Sequence, residues 1–132
     1  MIPSFKPGIL SSNKIRAAGG GGGDVSCTTD FNENVQYLNT FLESTQRTIA
    51  GIDTTITLRY NQLFNDGGLI YYIKNGGSEV QLIHNDTFTV VNGDTLFFRW
   101  YGDGLGYAIQ FEVINQSDSN TNLGTITMIR DN

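Results

Sequence analysis

One cysteine, one histidine and two prolines stand among 132 residues. A single Cys cannot close an internal disulfide, which excludes a fold held together by bridges. One His cannot build a histidine cage for zinc or a paired-histidine centre. No apolar run nears the ~18–20 residues that cross a bilayer as a helix. The sequence also lacks GxSxG, HExxH, P-loop and GxGxxG patterns, the spacings that mark a nucleophile elbow, a metalloprotease helix or a phosphate cradle. His84 falls in a turn beside Asn85 and Asp86, and Cys27 lies between Ser26 and Thr28 with no base beside it. Neither is placed to act as a nucleophile or base. Asp118-Ser119-Asn120-Thr121-Asn122 alternates oxygen donors as a calcium loop would. Leu123 stands where such a loop needs glycine, and the terminal bidentate Glu is missing, so a hairpin loop is expected there. The expectation is a non-enzyme with no catalytic residues, no metal and no cofactor.

Acid is missing from one stretch. Residues 1–23 hold Lys6, Lys14 and Arg16 and no Asp or Glu, a charge of +3. The remaining five bases and all thirteen acids lie beyond, leaving residues 24–132 at −8. An acidic body repels nucleic acid and anionic membranes, so neither is expected as a partner. Pro3 and Pro7 break the first ten residues, which therefore lack the continuous apolar core of a signal peptide. Ile2, Phe5, Ile9, Leu10 and Ile15 make this arm more apolar than a linker needs, which suits a segment that docks on something else. Ile2, Phe5, Lys6, Ile9, Leu10, Lys14 and Arg16 are its candidate docking residues.

Glycine is abundant, with sixteen residues, five of them in the block Gly19–Gly23. Such a block acts as a joint spanning ~12 Å on average. It separates the arm, 1–23, from a segment 24–50 and a body 51–132. In the middle segment Phe31, Val35, Leu38, Leu42, Thr45 and Ile49 recur at alternating spacings of four and three. That is the a/d rhythm of a coiled coil held for about two and a half heptads. It predicts a short helix, lying on its own domain or oligomerising through Phe31, Val35, Leu38, Leu42 and Ile49. An edge strand over Val35–Leu38 is the third reading.

From Ile52 the period changes to two. Ile52, Thr54, Ile56, Leu58 and Tyr60 share a face, as do Leu69, Tyr71 and Ile73, then Leu96, Phe98 and Trp100, then Tyr107, Ile109, Phe111 and Val113. Asn75-Gly76-Gly77 and Asn92-Gly93-Asp94 read as tight hairpins. About seven short strands with Gly/Asn/Asp turns predict an antiparallel β-sandwich of immunoglobulin-like or jelly-roll type. With Leu69, Tyr71 and Ile73 inward, Tyr72, Phe97 and Tyr101 point outward. Tyr72, Trp100 and Tyr101 are the candidate platform for a protein partner or a surface glycan.

The arm Pro3–Arg16, the block Gly19–Gly23, the heptad Phe31–Ile49 and the stretch Phe88-Thr89-Val90-Val91-Asn92-Gly93-Asp94-Thr95-Leu96-Phe97-Phe98 occur together. In that architecture the chain resembles small accessory proteins of tailed-phage virions, such as head decoration proteins and short head fibres. The resemblance implies a structural protein, made in the host cytoplasm and carried on the virion surface. It would dock on a coat or other virion protein by one end and form a homo-oligomer, foremost a trimer.

Overall fold

The computed structural model describes residues 23–131. The arm residues 1–22, with the docking side chains expected there, lie outside that range. Within it the chain is built of strands: β1 (Glu33–Tyr37), β2 (Leu42–Glu43), β3 (Arg47–Thr48), β4 (Ile56–Asn65), β5 (Gly68–Lys74), β6 (Val80–Leu82), β7 (Thr87–Val90), β8 (Thr95–Gly102), β9 (Ala108–Asn115) and β10 (Thr121–Arg130). They form two sheets. The first runs β1-β10-β9-β4-β7, and the second runs β2-β8-β5-β6 with β3 also alongside β8. Every pairing is antiparallel except β1 with β10.

Alternation builds the core. Ile56, Leu58 and Tyr60 of β4, Leu96, Phe98 and Trp100 of β8, and Ile109, Phe111 and Val113 of β9 are all buried. The residues between them stay half-exposed, as a pleated strand with one face inward requires, until β9 ends with Ile114 buried as well. The sheets meet through rings. Phe98 packs edge-on against Phe111 at 5.1 Å between centroids, and Tyr72 stacks on Phe88 at 4.0 Å. Each such side chain removed from water contributes about 1.5–3 kcal/mol before ordering costs. Two buried polar side chains are satisfied: the Ser44 hydroxyl accepts from the Phe98 N–H, and the Asn115 amide donates to the Val25 carbonyl at 2.7 Å.

Residues 24–50 are extended, and among the described residues no helix forms. This corrects the helix expected from the heptad. Phe31 and Val35 are four apart and so share one face of a strand as readily as one face of a helix. The chain then turns through residues 38–41, and Leu42 and Ile49 reach the core from separate short pieces. Phe31, Val35, Leu42 and Ile49 belong to the same buried cluster as Phe98 and Ile126. They are spent on their own fold and cannot oligomerise it, whereas Leu38 is exposed. The segment is part of the body; β1 is the edge strand that stood as the third reading, placed beside the far end of the chain.

Two further expectations change. Asn92-Gly93-Asp94 joins β7 of the first sheet to β8 of the second, so it is an arch between sheets and not a hairpin. The Asp94 carboxylate accepts the Val91 N–H at 2.9 Å and closes the turn locally, while the Ile49 N–H donates to the Asp94 carbonyl at 2.7 Å. Over residues 69–72 the inward face of β5 is also the opposite one, although Ile73 is buried as expected. Ile70 lies across from Trp100 and Tyr72 from Phe98, so Leu69 and Tyr71 face outward with Tyr101 and Arg99.

Candidate interaction surface

The two outer faces differ in chemistry. On the first sheet, Asn61 donates to Glu112 at 2.7 Å and Gln110 to Thr127 at 3.0 Å, a polar ladder made for water. On the second sheet, Phe41, Tyr71, Phe97 and Tyr101 surround Arg99. Tyr101 lies 5.8 Å from Phe41 and meets Tyr71 edge-on at 5.5 Å. The Arg99 guanidinium sits 5.2 Å from the Phe41 ring centre and 5.6 Å from that of Phe97. It is also held by Glu43 and, at 2.7 Å, by Glu79. Glu79 accepts the Tyr101 hydroxyl at 2.5 Å.

Charge is tuned by these contacts. The bond from Tyr101, then that from Arg99, holds the Glu79 carboxyl below its ordinary range. The same bond raises the Tyr101 phenol, and Glu79 first and Glu43 second hold Arg99 firmly protonated. The cluster combines tilted and edge-on aromatic rings with charge-paired groups on one face of the sheet. Tyrosine and arginine in such settings carry large contact area and directional hydrogen bonds, the composition of protein-binding hot spots.

This face runs into one end of the body. Tyr37 ends β1, Leu38 and Phe41 lie between β1 and β2, Leu63, Phe64 and Leu69 flank the β4–β5 turn, and Leu105 and Tyr107 lie between β8 and β9. They are eight of the eleven exposed large hydrophobic side chains among the described residues. Backbone bonds knit these connections together: Asp131 to Tyr37, Gly106 to Arg130, Asp66 to Ala108 and Asp103 to Gly67. The opposite end carries the polar turns at 53–55, 75–78, 92–94 and 115–120. Asp24 is bonded there to Asp53, so residues 1–22 join the body at the end away from the apolar cluster.

Of the expected platform, only Tyr101 lies on this surface. Trp100 is fully buried with its indole N–H on Asn65 at 3.2 Å, and Tyr72 is turned inward onto Phe88. Phe41, Tyr71 and Arg99 complete the cluster in their place. The sequence signal for Tyr71 was the register of β5 against β8, which composition does not contain.

Acid–base chemistry finds little material here. Asp66, Asp86 and Asp94 accept backbone N–H groups of Ala108, Ile83 and Val91, which makes them turn caps. His84 accepts the Gln62 N–H through Nδ1, and Cys27 is half-buried against the core. Among the described residues no group of three or more His, Cys, Asp and Glu side chains gathers as a metal site. No helix there is long and apolar enough to cross a membrane. Comparison with known protein families, curated proteins and solved structures finds no match.

Proposed function

We propose that this chain is a non-enzymatic structural and interaction protein, a decoration or short head-fibre protein of a tailed-phage virion. It docks on the coat or another virion protein through its N-terminal arm and displays its two sheets as a β-sandwich of immunoglobulin-like or jelly-roll type. The observation that carries this reading is the opposition of ends. A basic, acid-free arm joins at the polar end, while exposed Tyr, Phe and Leu side chains crowd the other. A protein held at one end and read at the other needs that division.

Docking is driven by burial of Ile2, Phe5, Ile9 and Leu10, at ~25 cal/mol per Å² before ordering costs. Lys6, Lys14 and Arg16 steer the arm to an acidic groove. The protein works as a homo-oligomer, foremost a trimer, at the virion surface. Because Phe31, Val35, Leu42 and Ile49 are internal, contacts between copies fall to surface side chains. Neither nucleic acid nor membrane is a partner in this reading. Removing residues 1–18 should abolish binding to capsids, and retained binding contradicts the proposal.

A carbohydrate-binding module is the second reading, favoured by Tyr71 and Tyr101 lying beside the hydrogen-bonding groups of Glu79 and Arg99. Glycan-array binding lost in Tyr101→Ala would favour it over the first.

A further inference from the structure

The first sheet ends in β1 on one side and β7 on the other, and the two edges are covered differently. At β7 the Tyr60 N–H donates to the Asp86 carbonyl, so by alternation residues 88 and 90 face β4 while 89 and 91 face outward. Both outward residues are capped. The Lys74 ammonium donates to the Thr89 carbonyl at 2.9 Å, and the Val91 N–H donates to the Asp94 carboxylate at 2.9 Å. A lysine across the ladder groups closes an edge to further strands. At β1 the Phe31 N–H donates to the Leu123 carbonyl at 3.0 Å, and the Tyr37 carbonyl accepts from the Asp131 N–H at 2.8 Å. Residues 31 and 37 thus turn toward β10, and 33 and 35 do the same. The backbone groups of Asn34 and Gln36 face away, beside a groove of about 560 Å³ whose far wall is Glu43, Ser44 and Thr45. No side chain caps them, and residues 33–37 include neither lysine nor proline.

We propose that the occupant of this edge is β1 of a second copy, laid antiparallel about a twofold axis through Val35. Symmetry is the first observation that selects it. Asn34 and Gln36 stand one residue to either side of Val35, so the axis sets Asn34 of each copy against Gln36 of the other. Each such pair exchanges both of its backbone bonds. Their side chains are exposed on the outer face, and each amide both donates and accepts, so the two amides meet as partners. The same axis places the exposed Tyr37 opposite Glu33 of the other copy, where the ring covers the Arg47–Glu33 ion pair.

Charge is the second. Residues 24–132 carry −8, so two bodies repel unless they meet where acid is already neutralised. The groove beside β1 is such a place. Of its two carboxylates, Glu33 is paired with Arg47 at 2.8 Å and Glu43 with Arg99. A basic strand would find both carboxylates taken, and an acidic strand would find both arginines taken. An uncharged polar strand fits, and Asn34-Val35-Gln36-Tyr37 is one. The contact joins copies in pairs through backbone bonds, apart from any threefold-symmetric arrangement on a virion, and does not rest on that reading.

Sedimentation equilibrium of the full chain from about 10 µM to about 1 mM, the range of a small interface, tests this. The mass should rise from 14.5 kDa toward twice that value. Asn34→Lys/Gln36→Lys sets like charges across the axis and should raise the midpoint concentration at least about tenfold. It does so while bringing the net charge of −5 closer to zero, which weakens general repulsion. Asn34→Lys/Gln36→Glu sets opposite charges there and should keep the midpoint within about threefold of the unaltered chain. Both positions are exposed, and the emission of buried Trp100 reports that each variant is folded. A chain that stays monomeric at about 1 mM, or that forms trimers instead of pairs, overturns the proposal. So does a double-lysine variant that pairs as well as the unaltered chain, or a lysine–glutamate variant that pairs no better than the double lysine. Capsid co-sedimentation reads the arm and not β1, so the two readings fail separately.

Discussion

The Arg47 guanidinium donates to the Glu33 carboxylate at 2.8 Å and to the Asp30 carbonyl at 2.6 Å, fastening the short β3 to the edge strand β1. The same carboxylate accepts the Thr45 N–H at 2.9 Å. Burial alone would raise the Glu33 carboxyl, but the bonds from Thr45 and Arg47 outweigh it and hold it below the ordinary range. Stabilisation from a lowered carboxyl is complete above its unfolded value and drains as pH falls through its folded one. Glu33→Gln should therefore cost about 1–3 kcal/mol at neutral pH. Its deficit against the unaltered protein should shrink below about pH 4.5 in denaturant melts. A deficit that stays constant down to acid denaturation argues against the coupling.

Trp100, the only tryptophan, is fully buried between the sheets. Its emission should be blue-shifted in the native protein, resistant to acrylamide, and should move to the red in one step on unfolding. Trp100→Ala leaves a cavity and removes the indole bond to Asn65, and should cost about 3–5 kcal/mol. A quenchable Trp in the folded protein would contradict the packing.

Gly124 sits at the irregularity between Asn122 and Thr125 with φ +153°. A Cβ there would run into the backbone of Phe31 and Asn32. Gly124→Ala should push the chain before β1 off β10 and lower stability by about 1–3 kcal/mol, read by chemical denaturation. An unchanged midpoint would mean that this close approach is not required.

At the apolar end, Leu63 and Tyr107 are exposed. Leu63→Ser and Tyr107→Ser should leave stability within about 0.5 kcal/mol while weakening association with any partner or copy that uses this end. A large loss of stability would instead make these side chains structural.

What was legible in the sequence was what depends on local period. The inward faces of β4, β8 and β9 follow from alternation, and Asn75 and Gly76 take the positive φ expected at the β5–β6 hairpin. What was hidden depends on which strands meet. Asn92-Gly93 carries the same local signal whether its flanking strands pair with each other or with partners in opposite sheets. Tyr71 and Tyr72 are both aromatic in a strand apolar on both faces, so only the pairing with β8 decides which faces out. The heptad misled because a four-residue spacing satisfies a helix and a strand equally, and contact with β10, almost a hundred positions along the chain, settled Phe31 and Val35.

Add-back to capsids lacking the protein tests most directly the proposal that the arm attaches and the body is displayed. The full chain should co-sediment with such capsids, while residues 19–132 stay in the supernatant as a folded protein with a blue-shifted Trp100. Co-sedimentation of residues 19–132 to the same extent as the full chain would contradict it.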